Sequence, residues 1–304
     1  MTPLPTPLEP APASLGGDRP LFLKREDVHE LGAFKWRGAL PVLTAYRERG
    51  ATTVVTASTG NHGAATAWAA DRLGLTAVVY APEGATQAKL ALVEELGAET
   101  RLVGADLDEA KEAARGYAAD AGIPFFEDGA EALQYEGYGA IAGELLDQLG
   151  APPAAVVVPV GNGALLGGIG MQLGARAPDT IRIGVAAKEA PVMAECWQAG
   201  TVVTSDRSAT FADGLAVRVA IPLAVNVLGE VANRMLLVSE REIAEAVGRY
   251  AAAGLRVEGA AGAALAALPQ LDDIDGVVVL IVTGRNIDDE LHARACERPE
   301  SFSD

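Results

Sequence analysis

The strongest constraint on the fold is an alternation of short apolar strands with helix-patterned segments along most of the chain. It begins where the β-branched run Thr53–Thr56 is followed by a helical pattern over Asn61–Leu73. A second series starts at Ala155–Val158 and continues to Val277–Val282. Strands that alternate with helices predict parallel sheets, because each crossover helix returns the chain to the same edge of the sheet. We therefore expect an α/β fold with two open parallel sheets.

Domain limits follow from the interval between the two series. A short strand at Pro124–Phe126 and a helix over Tyr138–Leu149 are predicted there, with Gly150 as the C-cap of the helix. We predict a small mobile domain of residues 44–134, inserted into a large domain of residues 1–43 and 135–304. Ligands of open parallel sheets bind at the carboxyl ends of the strands, so the turns at those ends are the candidate functional segments.

The charge balance disfavours some classes of partner. The 304 residues include 24 Lys and Arg against 41 Asp and Glu, a formal net charge of −17. Nucleic acids and anionic membranes bind basic surfaces, so we expect neither as a partner. The sequence has no apolar run of transmembrane length, and its Pro-rich N-terminus does not resemble a signal peptide. These features predict a cytoplasmic protein.

One glycine-containing turn has the pattern of an anion site. The turn Gly161–Ala164 lies between a predicted buried strand and a predicted helix, so its backbone N–H groups can bind a phosphate. It is not the dinucleotide motif GxGxxG, because Leu166 stands where the third glycine would be. The alternative is that the glycines serve only tight packing of the strand on the helix.

Two other segments carry reactive or polar side chains. Lys35 stands between Phe34 and Trp36, which indicates a partly buried amine of the kind that condenses with aldehydes. The usual alternative is a lysine at the surface. The segment Ser58–His62 opens a helix with two hydroxyls and an amide, and can bind a carboxylate. Helix capping by its hydroxyls is the alternative.

Together these segments resemble the fold-type II pyridoxal-phosphate enzymes of the serine/threonine dehydratase and serine racemase group. These enzymes share the two-sheet fold of the tryptophan synthase β subunit. The resemblance extends from Thr6 to about Asn286, nearly the whole chain. It rests on the order of five motifs: the lysine segment, the Ser58–His62 turn, the glycine turn, Ala212-Asp213-Gly214-Leu215, and Val282-Thr283-Gly284-Arg285-Asn286.

The resemblance implies a role for each matching position. Lys35 would carry pyridoxal 5′-phosphate as a Schiff base and act in catalysis, and Thr59 would face the substrate as a second catalytic hydroxyl. The other cofactor-binding residues would be Phe34 beside the ring, Asn61 at the 3′-oxygen, Thr283 at the ring nitrogen, and Gly161, Asn162, Gly163 and Ala164 at the phosphate. The substrate carboxylate would be bound by Ser58, Thr59 and His62.

Two features depart from the family pattern. Ala33 stands where serine is usual, which removes a possible phosphate donor. The glycine turn contains Asn162 and Ala164 where glycine is more usual, and both residues restrict the backbone.

A divalent cation is a further implication of the resemblance. Related enzymes hold Mg²⁺ or Ca²⁺ with two carboxylates and one backbone carbonyl, and oxygen ligands suit both ions. If the alignment with these enzymes is shifted by one residue, their three ligand positions match Glu189, Met193 and Glu195. Two solvated carboxylates at the start of a helix are the alternative.

The reaction is predicted from the residue at the ring nitrogen. A neutral Thr283 need not keep that nitrogen protonated, which weakens the ring as an electron sink and favours β-elimination over transamination. We therefore expect an ammonia-lyase that converts serine, threonine or a related β-hydroxy amino acid into a 2-oxo acid and ammonia. Glu258 matches a glutamate near the active site of the family, or is an ordinary carboxylate in a first helical turn.

Several alternatives stay open. The racemases of this group have serine at the position of Thr59, and some threonine synthases have threonine there. The residue at this position is therefore compatible with racemase activity and with threonine synthase activity. A non-catalytic pyridoxal-phosphate-binding protein and a dinucleotide-binding module without this cofactor are alternatives of another class. The resemblance also implies a small amino-acid substrate and a homodimer.

Overall fold

A computed structural model describes residues 4–85, 87–205 and 207–304, without the side chains of residues 87–89. The described residues divide into two compact units. We call residues 4–34 with 138–304 the six-stranded unit, and residues 35–137 the three-stranded unit. The two predicted domains stay a prediction, because a compact unit is not by itself a domain that moves independently. Their predicted limits are residues 1–43 with 135–304 for the large domain and 44–134 for the small one.

The described residues form nine strands. They are β1 (Leu8–Pro10), β2 (Leu21–Arg25), β3 (Thr53–Ala57), β4 (Thr76–Ala81), β5 (Glu99–Leu102), β6 (Ala155–Pro159), β7 (Ile181–Ala187), β8 (Arg234–Val238) and β9 (Val278–Val282).

Both sheets are parallel apart from one edge strand, in agreement with the alternation of strands and helices. The larger sheet has the order β1-β2-β9-β6-β7-β8, and β1 at its edge is antiparallel to β2 while the other neighbours are parallel. The smaller sheet has the order β3-β4-β5, with both pairs parallel. The predicted strand Pro124–Phe126 is wrong: only an isolated bridge joins Phe125 to Val55. Pro124 has no N–H with which to extend that pairing.

The described residues also form twelve α-helices. They are α1 (Ala13–Gly16), α2 (Trp36–Glu48), α3 (Asn61–Leu73), α4 (Gln87–Glu95), α5 (Leu107–Ala121), α6 (Ala132–Leu149), α7 (Ala164–Arg176), α8 (Val192–Ala199), α9 (Pro222–Val231), α10 (Glu240–Ala252), α11 (Gly259–Ala266) and α12 (Asp289–Glu297).

The ends of α6 show what sequence can and cannot reveal. The C-terminal limit agrees with the prediction, and Gly150 follows it with φ 74°. The helix begins six residues earlier than predicted, because Gly137 lies in its interior instead of ahead of it. A Cβ at Gly137 would overlap the carbonyl oxygen of Arg37, so this glycine permits a close approach to α2 and does not break the helix.

Small and branched side chains build the core of the six-stranded unit. Strands β6 and β9 are buried along their whole length, as expected for strands covered on both faces. All eight residues of α11 are buried, and they are Gly and Ala apart from Leu265. Such a helix can lie close to the sheet because its side chains are small.

Helices cover both faces of the small sheet in the three-stranded unit. Val78 and Tyr80 of β4 pack with residues of α5, whereas Val79 packs with residues of α3. This is the two-residue period of a strand that is buried on both faces. None of the helices within the described part of the chain has both the length and the apolar character that crossing a membrane requires.

Candidate active site

The carboxyl ends of three parallel strands carry the predicted functional segments. Ser58 follows β3 and leads into α3, and the glycine turn follows β6 and leads into α7. Thr283 follows β9. Parallel strands place such ends at one edge of each sheet, where backbone N–H groups and side chains are not used by the sheet itself. The positions of these segments therefore agree with the sequence-based expectation.

The amine of Lys35 is sheltered and paired within the three-stranded unit. Its Nζ donates to Oδ2 of Asp128 at 2.5 Å, and its side chain is 17% exposed. Lys35 directly precedes α2 and its carbonyl accepts from the N–H groups of Gly38 and Ala39, which fixes the backbone at this point. The prediction of a partly buried amine is confirmed. The sequence analysis did not identify Asp128, which lies 93 residues away along the chain.

Asp128 is held in place by bonds that do not involve Lys35. Its Oδ1 accepts from Nε2 of Gln134 at 2.6 Å, and Oε1 of Gln134 accepts from the N–H of Gly129 at 2.7 Å. Gln134 is fully buried. Burial is the largest single influence and by itself would raise the pKa of Asp128. The charge of the Lys35 ammonium, the nearby His62 and the hydrogen bonds that Asp128 accepts together outweigh it and hold that pKa well below its ordinary value. Asp128 is therefore an ionised carboxylate beside the lysine.

His62 lies on the other side of Asp128, and its hydrogen bonds define its tautomer. Its Nε2 is 3.0 Å from Oγ1 of Thr56 and 3.3 Å from the carbonyl oxygen of Phe126. Thr56 donates its own hydrogen to that carbonyl, so both neighbours of Nε2 are acceptors and Nε2 carries the hydrogen. Burial lowers the pKa of His62, which is neutral as a result. Its Nδ1, 3.7 Å from Oδ1 of Asp128, then carries no hydrogen.

Replacing His62 with glutamine should make stability less sensitive to mild acid. The pKa of His62 is lower in the folded than in the unfolded chain, so below the ordinary value of about 6.5 the unfolded chain binds the extra proton. The free energy of unfolding should therefore fall with falling pH in that window, by up to about 1.4 kcal/mol per pH unit. Urea unfolding across the window should give a shallower slope for His62→Gln. Parallel slopes for both proteins would contradict this assignment.

The turn after β3 leaves the start of α3 without a side-chain cap. Gly60 is the residue that caps α3, and neither Ser58 nor Thr59 takes that role. The buried Ser58 instead accepts the N–H of Gly60 at 3.2 Å through its Oγ. The positive end of the helix dipole thus coincides with this turn, which favours a carboxylate ligand. The roles of Ser58, Thr59 and Asn61 stay predictions, as does that of His62, whose ring is already bound to Thr56.

Two glycines of the turn after β6 are required by its geometry. A Cβ at Gly161 would overlap the carbonyl oxygen of Gly214. Gly163 has φ 90°, and a Cβ there would lie 2.6 Å from a methyl carbon of Leu228. Asn162 and Ala164 do not restrict the turn, since no non-glycine residue in the described chain has a positive φ. The expected restriction at these two positions is therefore corrected.

Asn162 engages one of the N–H groups predicted to bind phosphate. Its Oδ1 accepts a hydrogen bond, 3.1 Å long, from the N–H of Ala164, which is the first residue of α7. This contact orders the turn into α7 before any ligand binds.

Thr283 is paired with a carboxylate that the sequence only suggested. Its Oγ1 donates to Oε1 of Glu258 at 2.7 Å, and both side chains are buried. Glu258 caps α11 by position but makes no side-chain cap, so it is not an ordinary helix-start carboxylate. Because the hydroxyl hydrogen is bound to Glu258, Thr283 has only lone pairs to offer another ligand. The argument that Thr283 favours an unprotonated ring nitrogen overlooked this carboxylate.

The residues before Lys35 are fixed to the same strand end. The N–H of Phe34 donates to the carbonyl of Thr283 at 3.1 Å, and Ala33 forms an antiparallel bridge with Gly284. The Phe34 ring meets Tyr138 edge-on, with ring centroids 5.0 Å apart. Within the six-stranded unit, Phe34 is thus joined to Thr283 through the backbone, and the cofactor roles of both residues stay predictions.

The cation ligands predicted at Glu189, Met193 and Glu195 stay a prediction. Oε1 of Glu195 faces Nη2 of Arg207 at 3.4 Å, and the Met193 side chain is buried. Among the residues that the structure describes, no group of three or more His, Cys, Asp or Glu could hold a metal ion.

Comparison with known proteins identifies the family. Residues 1–284 match the pyridoxal-phosphate dependent enzymes. The chain belongs to this family. The L-threonine ammonia-lyase of Geobacter sulfurreducens is 36% identical over 273 residues, which cover 88% of this chain and 68% of that protein.

Solved structures give the same result for this pyridoxal-phosphate enzyme. The processed form of threonine deaminase isoform 2 from Solanum lycopersicum superposes with a TM-score of 0.91 at 30% identity, over 97% of this chain and 88% of that one. Maize serine racemase superposes with a TM-score of 0.88 at 25% identity, over 98% of this chain and 93% of that one. The fold is therefore that of the fold-type II pyridoxal-phosphate enzymes, as predicted.

The residues of this pyridoxal-phosphate enzyme fit its cofactor. The three-stranded unit supplies a sheltered amine at Lys35. The six-stranded unit supplies a turn at a helix start, where added Cβ atoms at Gly161 and Gly163 would clash. An amine for the aldehyde and a helix-start turn for the phosphate are the two groups that this cofactor needs.

Proposed function

We propose that this pyridoxal-phosphate enzyme is an ammonia-lyase that acts on threonine, serine or a related β-hydroxy amino acid and yields a 2-oxo acid and ammonia. The proposal rests on the sheltered Lys35, paired with Asp128 at 2.5 Å, in a chain similar to an L-threonine ammonia-lyase. The β-hydroxyl leaves with the loss of the Cα hydrogen, and water then releases ammonia from the remaining enamine.

Lys35 has two tasks in this proposal. Its amine holds the cofactor, and once displaced by the substrate its Nζ takes the proton from Cα. Pyridoxal 5′-phosphate, when bound, supplies the electron-withdrawing group that acidifies the Cα–H. Phe34 flanks the ring, and its own backbone is held by Thr283.

The remaining residues bind and orient. The phosphate is held by Gly161, Asn162, Gly163 and Ala164, and the 3′-oxygen by Asn61. The substrate carboxylate is bound at the start of α3 by Ser58, Thr59 and His62, with His62 contributing its backbone N–H, and the helix dipole there favours an anion. Thr283, whose hydrogen is committed to Glu258, offers the ring nitrogen an acceptor, which suits a protonated nitrogen.

Release of 2-oxo acid from purified protein tests this function. With pyridoxal 5′-phosphate added, L-threonine and L-serine should each yield 2-oxo acid and ammonia in equal amounts, because elimination produces one of each. Alanine lacks a β-leaving group and serves as the matched control, with no product expected. A protein that shows the visible band of the bound cofactor but releases no 2-oxo acid from any β-hydroxy amino acid would refute the proposal.

An amino-acid racemase is the second candidate, favoured by the similarity to maize serine racemase and by a hydroxyl at Thr59. Chiral analysis of serine after incubation separates the two activities. Conversion of one enantiomer into the other at a rate above 2-oxo acid release would replace the first proposal by the second.

Three finer features stay predictions. A homodimer is implied by the resemblance, and light scattering tests it. A cytoplasmic location is predicted from the sequence, and cell fractionation tests it. A divalent cation at Glu189, Met193 and Glu195 is implied by the resemblance alone, so we assign no step to it. A drop in melting temperature after chelation would support the cation.

A further inference from the structure

We propose that Asp128 is the counter-ion that keeps the nitrogen of Lys35 protonated, both in the free ammonium and when that nitrogen links Lys35 to the cofactor. Asp128 is then a positioning residue that acts through Lys35. The inference rests on the proposed function in one respect, that Lys35 is the lysine that carries the cofactor.

The first support is that the carboxylate is anchored independently of the lysine. Oδ1 of Asp128 is bound to the buried Gln134, and Gln134 is oriented in turn by the N–H of Gly129. Oδ2 is the oxygen that contacts Nζ. When the amine reacts, the anchoring bonds stay, so the negative charge remains at the same place beside the nitrogen.

The second support is the charge of the surrounding groups. His62 is neutral, and its Nδ1 presents a lone pair to Asp128. Burial, and then the charge of Asp128, raise the pKa of Tyr135, which stays neutral and donates to the carbonyl of Gly129. Two further cations of this region, Lys111 and Arg115, are both paired with Glu127. Among these described groups, the Lys35 nitrogen is the cation that Asp128 contacts.

A protonated nitrogen is useful at two points of the proposed reaction. The cofactor, when bound, would supply a carbon that exchanges its bond to the Lys35 nitrogen for a bond to the substrate nitrogen. A proton on the Lys35 nitrogen would favour that exchange and the release of Lys35 as an amine. When that amine takes the proton from Cα, Asp128 stabilises the ammonium that results.

The test is a pH titration of the absorbance of cofactor-loaded protein. The protonated link absorbs at longer wavelength than the unprotonated link, so the band reports the proton directly. In Asp128→Asn and Asp128→Ser the long-wavelength form should be lost at a pH lower by about 1–3 units than in the native protein. Asp128→Glu keeps the charge and should restore most of the native behaviour.

Glu127→Gln is the matched control. This substitution removes a carboxylate that is next to Asp128 in the sequence. Because the Glu127 carboxylate is bound to Lys111 and Arg115, its loss should not change the pH titration of the absorbance band. An unchanged titration in both neutral variants of Asp128, or an equal shift in Glu127→Gln, would overturn the proposal.

A second measurement on cofactor-free full-length protein separates this proposal from the proposed function. The ion pair with Asp128 holds the Lys35 amine in place, so acylating reagents should modify Lys35 faster in Asp128→Asn than in native protein. Mass spectrometry of peptides measures this rate. Failure of the native protein to bind the cofactor would refute the proposed function only, whereas equal acylation rates would refute the role of Asp128.

Discussion

Replacing Lys35 with alanine should abolish the visible absorbance band of the cofactor-loaded protein and reduce 2-oxo acid release by at least about 10²–10⁴-fold. The band requires a covalent link to an amine, and the lower limit of the activity loss corresponds to the removal of a general base. The fold should survive, because the Lys35 side chain is partly exposed and its loss leaves no core cavity. Borohydride reduction followed by mass spectrometry shows whether the cofactor is attached to this residue.

Lys111→Ala is the control for this substitution. Lys111 belongs to the same unit and is also paired with a carboxylate, Glu127. It should keep both the band and the activity, so a loss in both variants would indicate general damage to the unit. An unchanged band in Lys35→Ala would refute the assignment of the cofactor lysine.

Replacing Gly161 with alanine should weaken cofactor binding by at least about tenfold, which corresponds to about 1.4 kcal/mol of binding free energy. The added Cβ would overlap the carbonyl oxygen of Gly214, which belongs to the backbone and cannot rotate away as a side chain can. The turn must therefore move, and its N–H groups would no longer point at one phosphate. Titration of the cofactor into the protein, followed by absorbance, measures the dissociation constant.

Gly229→Ala is the matched control for Gly161→Ala. Gly229 lies in α9 of the same unit, and a Cβ there would meet no atom within 4 Å. Alanine should stabilise that helix by about 0.5–1 kcal/mol and leave cofactor affinity unchanged. Equal affinities for the Gly161→Ala variant and the native protein would show that the turn does not bind the phosphate.

The architecture was largely predictable because the alternation of strands and helices is a local signal. The sequence Ser239-Glu240-Arg241-Glu242 has the local pattern of a capping box, and the box is present at the start of α10 with both reciprocal hydrogen bonds formed. Features that depend on neighbours were missed. The start of α6 was misplaced because Gly137 looks like a helix breaker until the backbone of Arg37 is seen beside it. The edge strand β1 was missed because three residues with a proline carry no periodicity.

The residues of the candidate site also separate into those that the local sequence identifies and those that it does not. Lys35 and the glycine turn were identified from residue type and position relative to strands and helices. Glu258 was noticed but could not be distinguished from a helix-start carboxylate. Asp128 was not noticed, because nothing in its local sequence indicates a partner.

The sequence by itself determined the two parallel sheets, the amine and the turn after β6, since each depends on residues that are close together in the chain. Only the tertiary structure decided which carboxylates face the functional groups. Asp128 and Lys35 are 93 residues apart, and Glu258 and Thr283 are 25 apart. Such pairs form only when strand order and helix packing bring distant segments within hydrogen-bond distance, and they determine which protons the site can hold.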